Sequence, residues 1–445
     1  MRKAQLKKYA KLLVKTGINV KKGQTVFVQA GLDQPEFVTM VVEECYKAGA
    51  GEVFVDWSYQ PTEKLNAIYM SQEKLSNLTP WGKAKWEYKA EKYACRLFLD
   101  SDDPDGMKGV DVHKMSEARK AVFPQVKKYR DALENRHQWC IAGVPGAAWA
   151  KKVFPDLPEK RAIEKLWQVI LYTSRADGKN PIAAWKEHNE DLKKRCEYLN
   201  SLGLAALEYK SSNGTDFKVW LNEDGIFTAG SEKTLGGRVF NPNIPSEEVF
   251  TSPKAGKAEG IVYSTKPLSY QGELIENFSV RFENGKVAEV KAEKGEEQLK
   301  KMVAMDEGAS MLGECAIIPY DSPINNSGVL FYNTLFDENA SCHLALGMGF
   351  NECLRGYEKY TNEECKKRGI NDSMIHVDFM IGSKDMCITG VKQDGTRVFT
   401  GTSEHCFLNP EGHFIRLRRD QREFYEMLMR ELNVHHPAEG ETSHE

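Results

Sequence analysis

Between Thr25 and Ala142 the hydrophobic pattern changes period repeatedly, and few folds accept that. Thr25-Val26-Phe27-Val28-Gln29 reads as a strand, Pro35 to Ala48 as a helix, and Glu52-Val53-Phe54-Val55-Asp56 as a strand again. The apolar run Ala94-Cys95-Arg96-Leu97-Phe98-Leu99 follows, then a helical stretch to about Leu133 and a strand near Trp139-Cys140-Ile141-Ala142. Strand and helix in alternation predict a parallel sheet with helices on its faces, because a parallel neighbour needs a crossover. Such a unit invites a nucleotide, but the Gly-x-Gly of this half, Gly49-Ala50-Gly51, follows a helix and precedes a strand. A dinucleotide loop needs the opposite order, since its phosphates sit on a helix N-terminus. The unit therefore reads as structural.

Two helical segments, Lys160 to Ser174 and Pro181 to Asn200, lead into a half where strand signals dominate. Asn213-Gly214 lies between apolar runs, and Glu283-Asn284-Gly285-Lys286 joins the run Ile275 to Phe282 to the run Val287 to Val290. Asn-Gly supplies the two left-handed residues that a tight hairpin requires. At 445 residues the chain is too long for one ordinary core. The reading is α/β: an N-terminal doubly wound parallel-sheet domain over residues 1–200, then a mixed α+β domain rich in antiparallel strands over residues 201–415. The boundary falls near residues 198–205. Residues 416–445 form an extension with a polar tail. In it Phe424, Leu428 and Leu432 recur at i, i+4 and i+8 beside Met427, which predicts an amphipathic helix that covers its own domain or another chain.

Charge and cysteine usage narrow the class. Lys+Arg 61 against Asp+Glu 64 gives a formal net charge of −3, so there is no electrostatic case for a nucleic-acid partner. No apolar run is long enough to span a membrane, and Met1-Arg2-Lys3 opens directly into a charged amphipathic helix, so neither a membrane anchor nor a signal peptide is expected. Ten cysteines without paired spacing point to reduced thiols in a cytoplasmic enzyme.

The chemistry concentrates between Glu314 and Asp378. Glu314, Glu338, His343, His376 and Asp378 fall in one short region, and carboxylate with neutral imidazole is a ligand set for Zn²⁺, Co²⁺, Mn²⁺ or Fe²⁺. From Met374 to Ile381 the odd positions Ile375, Val377, Phe379 and Ile381 are apolar, so this is a strand with one face in a core. His376 and Asp378 then share the other face. After Asp337 the small residues Ala340, Ser341, Ala345, Gly347 and Gly349 interleave with Leu344, Leu346, Met348 and Leu354. That pattern predicts a closely packed helix with His343, Gly347 and Phe350 on one face at i, i+4 and i+7. Cys342 reads as a small buried residue of that helix rather than a nucleophile, because nothing local activates it. Taken alone, His-x-Asp on a strand is commonly just a hydrogen-bonded pair at a sheet end. The strong local signatures, His-Glu-x-x-His and paired Cys-x-x-Cys, are missing.

Longer motifs carry more. Asn243-Ile244-Pro245-Ser246-Glu247-Glu248-Val249-Phe250-Thr251-Ser252-Pro253, Leu312-Gly313-Glu314, the block from Tyr320 to His343, and His376-Val377-Asp378 occur in this order. Through them the chain resembles the M29 family of metallo-aminopeptidases, the thermophilic or AmpS-type aminopeptidases, from the first helix to about Phe399. The resemblance implies metal-binding or catalytic roles for Glu248, Glu314, Glu338, His343, His376 and Asp378, and two divalent ions (Zn, Co or Mn) that activate water against the N-terminal peptide bond of short peptides. In this reading Glu314 bridges the metals, and Glu338 moves the proton unless it is itself a ligand. Glu247 and Glu248 point opposite ways on an extended chain, and the motif puts the ligand at the second, leaving Glu247 as a solvent-facing or hydrogen-bonding acid. Where the family carries a tyrosine seven residues after the histidine, this chain has Phe350, a ring without the donor that would serve an oxyanion. The family also implies a homodimer in which the parallel-sheet domain of one chain helps enclose the site of another. Two alternatives stand beside this reading. One is a mononuclear iron ring-cleaving dioxygenase of the same superfamily, which would need only one carboxylate. The other is an inactive metal-binding homologue, suggested by Phe350.

Overall fold

The computed structural model describes residues 3–400 and two short strands, Phe407–Leu408 and Phe414–Ile415; the helix expected over residues 416–434 lies outside the described residues. Five parallel strands organise the first unit. Four come in sequence, Thr25–Gly31, Glu52–Ser58, Cys95–Asp100 and Trp139–Gly143, and the fifth is a late arrival, Asn243–Ile244. Across the sheet they lie in the order fifth, fourth, third, first, second. Val26 pairs with Val53 on one side and Cys95 on the other, so the two neighbours are held in one register. The helix Pro35–Lys47 starts where the sequence predicts, and Pro80 opens a further helix, Pro80–Glu91; both prolines take first-turn positions, where a missing N–H costs nothing.

One face of this sheet carries the core. Cys95, Leu97 and Leu99 are buried with Val26, Val28, Trp149 and Trp167, whereas Arg96, Phe98 and Asp100 alternate with them and are half-buried on the opposite face. Phe331, Leu335, Phe336 and Ala340, from the far half of the sequence, complete the same core. Together with Asn243–Ile244 they bind the second half of the chain to the first.

The second unit is two antiparallel sheets with a core between them. The smaller has five strands in the order His376–Met380, His343–Gly347, Leu312–Ile317, Val249–Thr251 and Thr228–Ala229; the larger has eight. Leu344, Leu346, Val377 and Phe379 point from the small sheet against Phe217, Phe278 and Phe282 of the large one. Both hairpins form; in the second Asn284 at φ 52° and Gly285 at φ 78° supply the two left-handed residues, whereas in the first, a longer connection between Lys210 and Asp216, Gly214 is left-handed and Asn213 is not.

The helix expected after Asp337 does not exist. Residues 334–340 make only one short helical turn followed by a 3-10 turn, and His343–Gly347 is an interior strand of the small sheet, buried on both faces. Leu344 and Leu346 face the core, while His343, Ala345 and Gly347 line the other side. The small residues leave room on that second face; they do not mark helix-on-helix contact. A strand buried on both sides has lost the polar half of its alternation, so period two is hard to tell from a buried helix. Cys342 is buried beside this strand and its Sγ donates to the Ile318 carbonyl at 3.2 Å. Among the described residues every cysteine is a free thiol, and no helix is long and apolar enough to cross a membrane.

Candidate metal centre

The small sheet aligns the expected residues by register. Glu314 pairs with Ala345, and Ala345 pairs with Asp378, so the two carboxylates stand on one face either side of a methyl group. His343 and His376 lie two residues from Ala345 and Asp378, hence on the same face. Glu248 arrives from the connection just before Val249–Thr251, next to Leu312–Ile317. Glu338 comes from the 3-10 turn that precedes His343. Five of the six are buried, from Glu338 at 8 % exposure to His343 at 1 %, and His376 is half-buried.

The donor atoms fall into two overlapping groups. Glu248, Glu314 and His343 form one, Glu314, His376 and Asp378 the other, and within each the ligand atoms lie within 4.8 Å of one another. His343 Nε2 is 3.4 Å from Glu248 Oε2 and 3.7 Å from Asp378 Oδ1; His376 Nε2 is 3.0 Å from Glu314 Oε2 and 3.3 Å from the same Asp378 oxygen. Glu314 is common to both groups. Glu338 belongs to neither and lines the same cavity of about 500 Å³.

This donor set fits divalent cations. Each histidine spends Nδ1 on a backbone carbonyl, His343 on Glu338 O at 2.8 Å and His376 on Met348 O at 2.7 Å. With Nδ1–H donating there, Nε2 is left as a lone-pair donor aimed at the carboxylates. Asp378 Oδ1 is buried and has no hydrogen bond of its own. Burial, and then the negative charges of Glu314 and Asp378, push the Glu248 carboxyl well above its ordinary range. Glu338 is pushed up in the same way by burial and by Asp378, Glu248 and Glu314. Glu248 and Glu338, buried among other carboxyls, resist ionising unless positive charge joins them.

The supporting contacts are specific. Gly347 has φ +105°, and a Cβ there would meet the Ile375 carbonyl oxygen at 2.1 Å, so only glycine closes the strand opposite His376. The chain then turns so that Met348 O reaches His376, and Phe350 swings to within 4.8 Å of the His376 ring, centroid to centroid. Phe350 therefore lies at the centre, brought there by a turn and not by helical register. Its N–H donates to Ser252 Oγ at 2.7 Å.

Glu247 diverges from Glu248 as adjacency requires, but it is not solvent-facing. It is 1 % exposed and forms a two-pronged ion pair with Arg175, one arm Nη2–Oε2 at 2.9 Å. Burial raises its carboxyl, but the charge and hydrogen bonds of Arg175, together with Arg195, hold it below the ordinary range. His188 Nε2–H donates to Ser246 O at 2.7 Å, and burial drives that imidazole down to about 4, so it is neutral. On the other side Asn339 accepts from the Glu247 N–H at 2.7 Å and donates to Glu338 Oε1 at 3.2 Å. Arg175, His188 and Asn339 were not singled out from the sequence. An arginine after a helix and an asparagine in Glu-Asn-Ala carry no local signal, since their partners are distant in the chain.

With the geometry described, comparison with known proteins gives a consistent result. The model of the thermophilic metalloprotease family M29 matches residues 2–402. The chain is 41 % identical over 394 residues to "Aminopeptidase AmpS" of Bacillus subtilis (strain 168), covering 88 % of this chain and 96 % of that one. It is 41 % identical over 398 residues to "Aminopeptidase PepS" of Streptococcus thermophilus, covering 89 % and 96 %. Among solved structures, wild-type AmpT from Thermus thermophilus superposes with a TM-score of 0.81 at 38 % identity, over 93 % of this chain and 99 % of that one.

Proposed function

The chain belongs to the thermophilic metalloprotease family M29 and is a metallo-aminopeptidase, and from the geometry of its centre we propose that it uses two divalent ions to hydrolyse the N-terminal peptide bond of short peptides. The observation that carries the proposal is the pair of overlapping donor groups with Glu314 in common. Each group would hold one ion, with Glu314 available to both. Glu248 and His343 hold one side of the pair, His376 and Asp378 the other. A mononuclear iron centre would leave several of these buried carboxylates without a counter-charge.

Ions held there supply Lewis acidity and make water nucleophilic near neutral pH. The protein's own part is to orient and to move a proton. The carbonyl contacts at Nδ1 fix both imidazoles, and Asn339 fixes one oxygen of Glu338. Glu338 stands outside both donor groups yet inside the cavity, and its raised pKa suits a carboxyl that takes a proton from water and gives it to the leaving amine. Zn²⁺, Co²⁺ and Mn²⁺ all suit a nitrogen-and-oxygen set.

We also propose a homodimer and a cytoplasmic location. Tyr69, Trp81, Trp57 and Phe54 are exposed on the parallel-sheet unit and supply apolar surface for a second copy; the buried free thiols fit a reducing compartment. Light scattering that gives a monomer mass at micromolar concentration overturns the dimer. For the function itself, the test is chelation followed by metal analysis. Stripped protein should lose turnover of aminoacyl p-nitroanilides and regain it on adding Co²⁺, Zn²⁺ or Mn²⁺, with two ions bound per chain. Full turnover after verified removal, or one ion per chain at full activity, rejects the dimetal reading.

A further inference from the structure

The metal centre opens into a second cavity of about 430 Å³ between the two units, and Trp139, Ile141, Glu232, Phe350 and Glu352 line both. The floor is the sheet face that no core covers. Asp100 lines the metal end of the cleft, Phe98 and Arg96 the far end, and all three alternate on one side of the strand Cys95–Asp100. Four residues of parallel strand put Arg96 about 13 Å from Asp100.

Arg96 is unusual among the charges of this cleft. Its guanidinium lies 4.7 Å from the Phe98 ring centroid and 5.3 Å from that of Trp86, half-buried between them. Arg130 stands beside it on the helix Val112–Leu133, over Phe123. The other cations of this cavity are matched, Lys127 by Asp131 at 2.9 Å and Lys366 by Asp372 at 3.1 Å. Among the described residues no carboxylate lies within ion-pair distance of either Arg96 or Arg130; the nearest opposing charges act from Asp56 and Glu134. Burial, and then the like charge of Arg130, lowers Arg96 to about 10, the mark of a cation short of anionic company. Asp100 and Asp102 line the metal end only, and Glu232 and Glu352 line both cavities.

We propose that Arg96, assisted by Arg130, receives the C-terminal carboxylate of a tri- or tetrapeptide that lies along the Cys95–Asp100 floor with its free amine at the metal centre. An extended tripeptide spans about 10 Å, which with the reach of an arginine side chain matches the floor. A guanidinium offers a planar fork to a carboxylate, and the half-buried setting strengthens the pair. The inference rests on the aminopeptidase reading for the amine end, and the carboxylate end can be tested separately.

The probes are two tripeptides whose first peptide bond is reduced to CH₂–NH, so that neither is hydrolysed, one a free acid and the other a C-terminal carboxamide. Calorimetric titration of the metal-loaded protein should show the acid binding about tenfold more tightly, in line with one charge-assisted pair. Arg96→Met, which keeps apolar contact with Trp86 and Phe98, should bring the acid-to-amide ratio close to one. Arg96→Lys keeps the charge without the fork and should fall between. Equal binding of acid and amide by the wild type, no binding of either, or an unchanged ratio in Arg96→Met overturns the subsite. Hydrolysis of the ordinary tripeptide is measured alongside. If the acid preference stands but no peptide is cleaved, the peptidase reading fails and the carboxylate subsite survives.

Discussion

Phe350→Tyr adds one oxygen at the edge of the metal centre and tests whether the centre lacks an oxyanion donor. The Phe350 ring lies 4.8 Å from His376 and 5.5 Å from Phe250, at 48° and 69° to them, so it is held by two rings and faces the cavity. A phenol in the same rotamer projects into space lined by Glu314, Glu352 and His376. Oxyanion donors are worth about 2.7–4 kcal/mol where the site is shaped around them. Nothing here was shaped around a hydroxyl, so about 1–2 kcal/mol is expected, a rise in kcat of roughly tenfold with little change in KM.

The opposing effect is desolvation. A buried hydroxyl without a partner costs about 1–3 kcal/mol, but Phe350 is only half-buried and carboxylates stand nearby to accept, so the lower end applies. Melting temperature should fall by no more than a few degrees. The assay is a pair of readings on the same variant: turnover of an aminoacyl p-nitroanilide, and Tm. Unchanged turnover with a clear drop in Tm would refute the reasoning, because it would make Phe350 ordinary packing and leave another group to hold the oxyanion.

The remaining expectations are shorter. His343→Ala and Asp378→Ala each remove a donor from the centre and should lower both bound metal and turnover by at least about tenfold; wild-type metal content in either would mean the centre is elsewhere. Arg175→Met strands the buried Glu247 charge, and breaking such a pair costs about 3–5 kcal/mol, whereas the double change Arg175→Met, Glu247→Leu should recover part of the lost stability in urea melts. If the double variant is no better than the single one, the pair is not what holds the loop. Acid should destabilise the protein through His188 and His137, whose folded pKa values near 4 lie below the unfolded 6.5. The unfolded chain binds those protons first, so stability falls as pH drops from 6.5 and levels off below 4, by about 3 kcal/mol for each histidine at most. His188→Gln keeps a donor for Ser246 O and should flatten the slope between pH 6.5 and 5; an unchanged slope rejects the assignment.

What could be read from the chain alone divides along a physical line. Four strands of the parallel unit were legible because they are short apolar runs separated by helices with their own period; the fifth, Asn243–Ile244, is too short to carry a pattern. Cys95–Asp100 alternates as well, Cys95, Leu97 and Leu99 against Arg96, Phe98 and Asp100. The strand carrying His376 and Asp378 was legible for the same reason, and both hairpins because Asn-Gly is a local instruction. His343–Gly347 was misread as helix because burial on both faces removed the polar half of its pattern, and because Ala345 and Gly347 are small for a reason outside the strand: they make room beside Glu314 and Asp378. The same logic hid Arg175. Its partner Glu247 is 72 residues away and belongs to the other half of the chain, so no window of sequence contains the pair. Yet Arg175 holds the Glu247 carboxylate while Asn339 accepts from the Glu247 N–H, so the residue before Glu248 is braced at both side chain and backbone. Variants at Arg175 and Asn339 are therefore informative, because Arg175 reaches the centre only through Glu247, the neighbour of Glu248, and Asn339 through Glu247 and the Glu338 carboxylate that it holds.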